Sequence, residues 1–154
     1  MTTIAVESAF LDKLNAKTKG KLIIKEYPTA SAHSGHFRAL LNELALKKSF
    51  KPDVVFIDYL NICASARFKG GNISSYFYIK AIAEELRGLA VEFDVPIFSA
   101  TQTTRTGYVS TDIGLEDTSE SFGLPATADF MFALMSNEEL EGLGQMKVKQ
   151  LKNR

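Results

Sequence analysis

Four consecutive apolar residues run into an acid at Val54-Val55-Phe56-Ile57-Asp58. A carboxylate at the lip of a buried strand can hold Mg²⁺, directly or through water, beside nucleotide phosphates. An acid in that place also serves as a helix cap or as an acceptor for loop amides, and for an isolated carboxylate that ordinary role is the commoner one. A second candidate follows the next short apolar run, where residues 95–100 lead into Thr101-Gln102. A neutral amide there can touch a terminal phosphate or its attacking water and report hydrolysis to the loop beyond. Its ordinary alternative is to satisfy loop backbone. Other chemistry-bearing types are weaker. His33 and His36 have no further His or Cys near them in sequence and read as surface histidines at a helix start. Cys63 has no evident base beside it and reads as a small apolar filler. Glu84-Glu85 reads as the solvated face of a helix.

The two candidates need elements to carry them. Residues 3–17 have Val6, Phe10, Leu11 and Leu14 at helical spacing, and Gly20 stands where a left-handed C-terminal cap belongs. Residues 22–27 form a short apolar strand stopped by Pro28. A helix over 34–48 follows, with Phe37, Leu40, Leu41 and Leu44 at i, i+3, i+4 and i+7. The continuous apolar run within 53–58 suits a central parallel strand buried on both faces. A helix over about 74–93 aligns Ile79, Ile82, Ala83, Leu86, Leu89 and Phe93, with Lys80 and Glu84 paired on the wet side. Residues 95–100, 128–135 and 145–151 read as further strands, the last two separated by a polar turn or short helix. Strand–helix alternation implies crossovers and a three-layer α/β domain with a mostly parallel sheet and helices on both faces, residues 1–154 forming a single domain. Residues 61–73 and 103–117 are long polar connections leaving the carboxyl ends of parallel strands, the edge where open α/β sheets bind ligands.

Composition narrows the classes further. Eighteen basic and eighteen acidic residues give a formal net charge of zero, so no bulk charge argues for nucleic acid or anionic lipid. A single cysteine excludes an internal disulfide and fits a reducing compartment. No apolar run reaches membrane-spanning length and no signal-peptide pattern opens the chain, so a cytoplasmic protein is expected, in the host cytoplasm if phage-encoded.

The runs Asp58-Tyr59-Leu60-Asn61-Ile62-Cys63, Ile82-Ala83-Glu84-Glu85-Leu86-Arg87-Gly88-Leu89-Ala90-Val91-Glu92 and Gly123-Leu124-Pro125-Ala126-Thr127-Ala128-Asp129-Phe130-Met131 resemble the replicative helicases of T-even-type phages, within the DnaB family of hexameric, RecA-like helicases. The likeness spans nearly the whole chain and is weakest before Leu22. It implies an ATP-dependent motor, using ATP and Mg²⁺, that moves on single-stranded DNA as a homo-hexamer and works with a primase and a helicase loader. Asp58 then resembles the Walker B acid and metal holder, and Gln102 the phosphate sensor. Glu120-Ser121-Phe122-Gly123 with Ala128-Asp129 resembles a segment beyond the second DNA loop. Lys152-Asn153-Arg154 resembles the family's Lys-x-Arg, which makes Arg154 the arginine finger acting on a neighbour's ATP. Read alone, the same tripeptide is a solvated chain end. The resemblance sends the two long loops to DNA, with Arg67, Lys69, Gly70 and Gly71 in the first and Arg105, Thr106, Gly107 and Tyr108 in the second. Without it they are surface loops with scattered charge.

One departure shapes every expectation. A phosphate-cradling Gly-x-x-x-x-Gly-Lys-Ser/Thr run does not occur; Gly20-Lys21 is followed by Leu22 and preceded by Asn15 at the first glycine's place. The family's catalytic glutamate has no counterpart either. The chain therefore reads as an internal, incomplete RecA-like motor fragment, inactive by itself. The alternative is a RecA-like module that has lost catalysis and serves binding or assembly. An unrelated doubly wound or flavodoxin-like enzyme is disfavoured, because residues 28–34 hold no Gly-rich cradle. In this fold the phosphate-loop strand lies between those at 95–100 and 128–135. Its absence predicts that these two pair directly or, second in preference, that a filler such as the first 20 residues occupies the slot.

Overall fold

The computed structural model of the chain describes residues 16–17, 19–68, 73–103, 114–117 and 123–154. Helix α1, Ser34–Lys48, begins at a cap made by two histidines: His33 Nδ1 accepts from Gly35 N at 3.0 Å, and His33 N donates to His36 Nδ1 at 3.3 Å. Two imidazoles thus do what Ser and Glu do in the usual reciprocal cap. Leu41 and Leu44 are buried, Phe37 packs on the core, and Lys47 and Lys48 sit at the end where the helix dipole favours cations.

Strand β1, Val55–Ile57, pairs in parallel with β2, Ile97–Ser99, in the register Val55↔Ile97, Phe56↔Phe98, Ile57↔Ser99. A parallel pair needs a crossover, and α2, Ser75–Phe93, supplies it. The expected stripe is its inner face: Ile79, Ile82, Ala83, Leu86 and Leu89 are buried, and the first four form one core with Ile57, Leu60, Cys63 and Leu124. A short helix α3, Gly123–Thr127, packs on α2 and contributes Leu124. Strand β3, Phe130–Met135, then a one-turn helix α4, Glu138–Gly142, then β4, Lys147–Asn153, complete the described chain; β3 and β4 are antiparallel, with a register shift between Met131 and Phe132.

Several expectations are corrected. Residues 22–27 join no ladder among the described residues, and Leu22 and Ile24 are exposed; a strand needs a neighbour to take its hydrogen bonds, and none is there. Gly20 is not in the left-handed region; the left-handed caps are Ser49 and Asp94, which end α1 and α2. The helix expected over 3–17 lies outside the described residues except for Ala16 and Lys17, which are helical. The run at 54–57 is buried on one face only: Phe56 is 72% exposed and stacks on Phe98 at 5.3 Å, because α1 and α2 lie on the opposite side with Val55, Ile57 and Ile97. Two two-stranded sheets replace the single sheet with helices on both faces, and direct closure between β2 and β3 does not occur. Two strands whose connection must span a missing neighbour's width cannot meet without dragging α3 off α2. The first 15 residues, the favoured filler, lie outside the described residues. No helix among the described residues is long and apolar enough to cross a membrane.

Candidate functional site

Parallel pairing puts the carboxyl ends of β1 and β2 at one edge, and that edge is knitted by its own hydrogen bonds. Ser99 Oγ donates to Ile57 O at 2.8 Å, and Leu60 N donates to Ala100 O at 3.1 Å, extending the ladder past both strands. Beyond it, Thr101 Oγ1 donates to Asn61 Oδ1 at 2.8 Å and Gln102 Nε2 to Tyr59 Oη at 3.4 Å. Asp58 and Gln102 are therefore brought to the same edge, through Tyr59 between them. The Asp58–Tyr59 peptide bond is cis. Asp58 is exposed and its carboxylate has no hydrogen-bond or ion-pair partner among the described residues.

A lone, accessible carboxylate at a strand lip fits Mg²⁺, a cation that keeps several waters and takes one or two protein carboxylates plus phosphate oxygens. It does not make a self-sufficient metal cage, and no cluster of three His, Cys, Asp or Glu occurs among the described residues. The nucleotide's phosphates would need a cradle that this sequence does not contain.

The loop leaving β1 is held down by a residue that the sequence pattern assigned to solvent. Glu85 is half-buried and accepts from Ser34 Oγ at 2.8 Å, Ser65 Oγ at 2.6 Å, Ala66 N at 2.9 Å and Arg67 N at 3.3 Å. Burial pushes its carboxyl up, but the bonds from Ser65, Ala66, Ser34 and Arg67 together outweigh it and hold the group below the ordinary glutamate value. Its spacing carried a hint: Ile82, Glu85 and Leu89 are at i, i+3 and i+7, which puts Glu85 at the border of the buried stripe. Glu84 behaves as expected of an exposed residue, pairing with Lys80 at 3.9 Å and with Arg67 Nη1 at 2.5 Å.

Arg67 is thus at the site edge, exposed, with its guanidinium on Glu84. Lys69, Gly70 and Gly71 of the same loop, Arg105, Thr106, Gly107 and Tyr108 of the second, and residues 120–122 lie outside the described residues.

The chain's last strand meets the rest through charge. Lys152 Nζ donates to Pro125 O at 2.5 Å and to Ala128 O at 2.7 Å, two carbonyls at the end of α3. Arg154 N donates to Asp129 O at 3.0 Å, and its exposed guanidinium is 3.9 Å from the Asp129 carboxylate. Arg87 on α2 reaches that carboxylate at 2.7 Å and Thr127 O at 2.7 Å. The Arg87 hydrogen bond, with the charges of Arg87, Arg154 and Lys152 behind it, holds Asp129 below the usual aspartate value. Neither Lys152 nor Arg154 is bonded to Asp58 or Gln102 within the chain. The discounted residues stay discounted: the histidines are cap residues, and Cys63 is buried, its thiol pushed up by burial.

No known family profile matches the sequence. The chain is 49% identical over 137 residues to the DnaB-like replicative helicase of Enterobacteria phage T4, a match covering 89% of this chain and 29% of that protein. Two solved structures share its fold. One is a helicase-like ATPase domain, with a TM-score of 0.67 at 23% identity over 80% of this chain and 44% of that one. The other is a DnaB-like replicative helicase described with its interactions with primase, with a TM-score of 0.72 at 22% identity over 99% and 38%. The chain therefore spans less than half the length of each protein it matches. Sequence and fold together make it a relative of the DnaB-like replicative helicases.

Proposed function

We propose that the chain forms part of the ATP-driven motor of a replicative DNA helicase that translocates on single-stranded DNA. The observation that carries this reading is the 49% identity to the phage T4 helicase across 137 residues, which include both strand ends of the candidate edge. On this reading residues 1–154 are one partial RecA-like domain, and the two sheets belong to a larger sheet whose phosphate-loop strand comes from elsewhere. Asp58 holds Mg²⁺, directly or through water, and the ion would neutralise charge on the phosphates during transfer to water. Gln102, tied to Tyr59, senses the terminal phosphate and passes its state to the loop beyond. Arg154 acts as the finger toward the neighbouring subunit of a homo-hexamer, and Lys152, held by the Pro125 and Ala128 carbonyls, positions the strand that carries it. Arg67, Lys69, Gly70, Gly71, Arg105 and Gly107 face the DNA strand. By itself the chain lacks a nucleotide cradle and would not turn over ATP. A primase and a loader are the partners this reading assigns, the first supported by the similar fold of a helicase described with primase.

The test replaces the matching segment of the phage T4 helicase with this chain. The chimera should hydrolyse ATP with stimulation by single-stranded DNA, and Asp58→Asn within it should lower turnover about a hundredfold or more with folding intact. DNA-stimulated hydrolysis in the Asp58→Asn chimera close to that of the unsubstituted one would sink the assignment.

A further inference from the structure

Residues 65–68 leave β1's loop with their amides satisfied by side chains instead of by a ladder. Ser65 N donates to Tyr78 Oη at 3.1 Å, Ala66 N to both oxygens of Glu85 at 3.1 and 2.9 Å, and Arg67 N to Ser65 Oγ at 3.1 Å and Glu85 Oε1 at 3.3 Å. Phe68 N donates to Ser65 Oγ at 3.4 Å. Since Ser65 Oγ accepts twice, its one proton must go to Glu85. Tyr78 and Glu85 are two helical turns apart on one face of α2, so the helix offers this stretch a two-point dock. From the opposite side Ser34, the first residue of α1, donates its hydroxyl to the same carboxylate.

We propose that Glu85 is a positioning residue: by gathering the Ala66 and Arg67 amides and the Ser65 hydroxyl onto α2, it fixes where the Arg67 guanidinium is presented to a nucleic-acid phosphate. The proposal rests on the DNA reading above. An acceptor-only group is required, because both carboxylate oxygens face N–H or O–H donors. A glutamine in either orientation would aim its own NH₂ at the Ala66 amide. The guanidinium so placed is held by Glu84 in an exposed pair, and such a pair is readily exchanged for a phosphate. Glu85 touches no nucleic acid itself. It acts through Arg67.

The test uses the 154-residue chain, a fluorescent oligothymidylate and amide hydrogen exchange, with Glu85→Gln, Arg67→Ala, their double variant, and Glu92→Gln as a control on the same helix, whose carboxylate pairs with Arg38. Glu85→Gln should speed exchange at the Ala66 and Arg67 amides by about tenfold with the buried turn at Leu86 and Leu89 unchanged. It should also weaken oligonucleotide binding several-fold, and that loss should vanish in the Arg67→Ala background, as a residue acting through another requires. Glu92→Gln should do neither. Unchanged exchange at Ala66 and Arg67, exchange accelerated equally throughout α2, or an affinity loss of the same size without Arg67 would each overturn the proposal. Absence of oligonucleotide binding by the unsubstituted chain, with the Glu85→Gln exchange change still confined to 66–67, would overturn the DNA reading and the proposed role of Glu85 in it together.

Discussion

The parallel pair and the antiparallel hairpin are held to the molecule by different forces. Around β1 and β2 the fold is covered on one side by α2, where Ile82 is 1% exposed and Leu89 fully buried. Around β3 and β4 the exposed side chains include Phe130, Phe132, Leu134, Met146 and Val148, and Ala133 is the one buried apolar residue of either strand. The hairpin's connection runs through α3, whose Leu124 enters the core, and through polar contacts: Lys152 on two carbonyls, and Arg87 on Thr127 and Asp129. Both sheets also carry bare aromatic groups, the stacked Phe56 and Phe98 on the first and Phe130 and Phe132 on the second. The first region therefore owes its stability to its own burial, and the second depends on geometry that charge and hydrogen bonding supply.

Leu89→Ala tests the packed region and carries the largest expected effect, a loss of about 3 kcal/mol in urea denaturation, since a fully buried leucine leaves a cavity that only partly collapses. Phe132→Ala, at a side chain 54% exposed, should change stability by no more than about 0.5 kcal/mol. Comparable losses for the two would break the comparison, because they would mean that the hairpin's aromatic face is covered in solution.

Acid should separate the two regions. Asp129 is held below its ordinary value chiefly by the Arg87 hydrogen bond, so its folded value lies below its unfolded one. The stability it contributes is fully present above the unfolded value and is lost as pH falls through the folded value. The hairpin should loosen from α3 in that acidic window while the α2 core stays packed, followed by NMR shifts of Met131 and Lys152 against those of Leu86 and Leu89. Arg87→Gln should bring the Asp129 midpoint up toward the ordinary aspartate value, and added salt should do part of the same, because the pair is exposed and screened. A midpoint unmoved by Arg87→Gln would assign the depression to some other neighbour.

Much of the fold was legible because apolar spacing is a local signal. The stripe at 37, 40, 41 and 44 and the one from 79 to 89 set both long helices to within a residue of Ser34–Lys48 and Ser75–Phe93. The short apolar runs located β1, β2 and β3, and parallel pairing followed from the helix between the first two. Asp58 and Gln102 were found together because both follow such runs. What stayed hidden depends on partners distant in sequence. Glu85 meets Ser34, 51 positions away, and Ser65, 20 away, and nothing within one helical turn marks that meeting. Lys152 likewise finds its carbonyls 27 and 24 positions back. The exposed face at Phe56 could not be read from an apolar run, since a run says what a strand can bury and not whether a layer arrives to cover it. Gly20 misled by type: a glycine permits the left-handed region without requiring it.

The smallest effect lies at the seam where the packed region ends. Asp94 closes α2 at φ 50° and ψ 50°, a left-handed cap from which its amide donates back to Ala90 O and Val91 O. An L-residue with a Cβ in that region costs about 1 kcal/mol relative to glycine, aspartate being among the better tolerated. Its negative charge also faces the negative end of the helix dipole. Against this, glycine has more freedom to lose on folding, which takes back part of the gain. Asp94→Gly should therefore raise stability by about 0.5 kcal/mol, read as a shift of the urea midpoint at unchanged slope. Because α2 is the backbone of the packed core, the gain should appear in global unfolding and should slow exchange at Leu86 and Leu89 together. A gain confined to the last turn of α2 would mean that this end frays separately from the core. A loss would mean that the Asp94 carboxylate contributes more to the fold than its strained backbone costs.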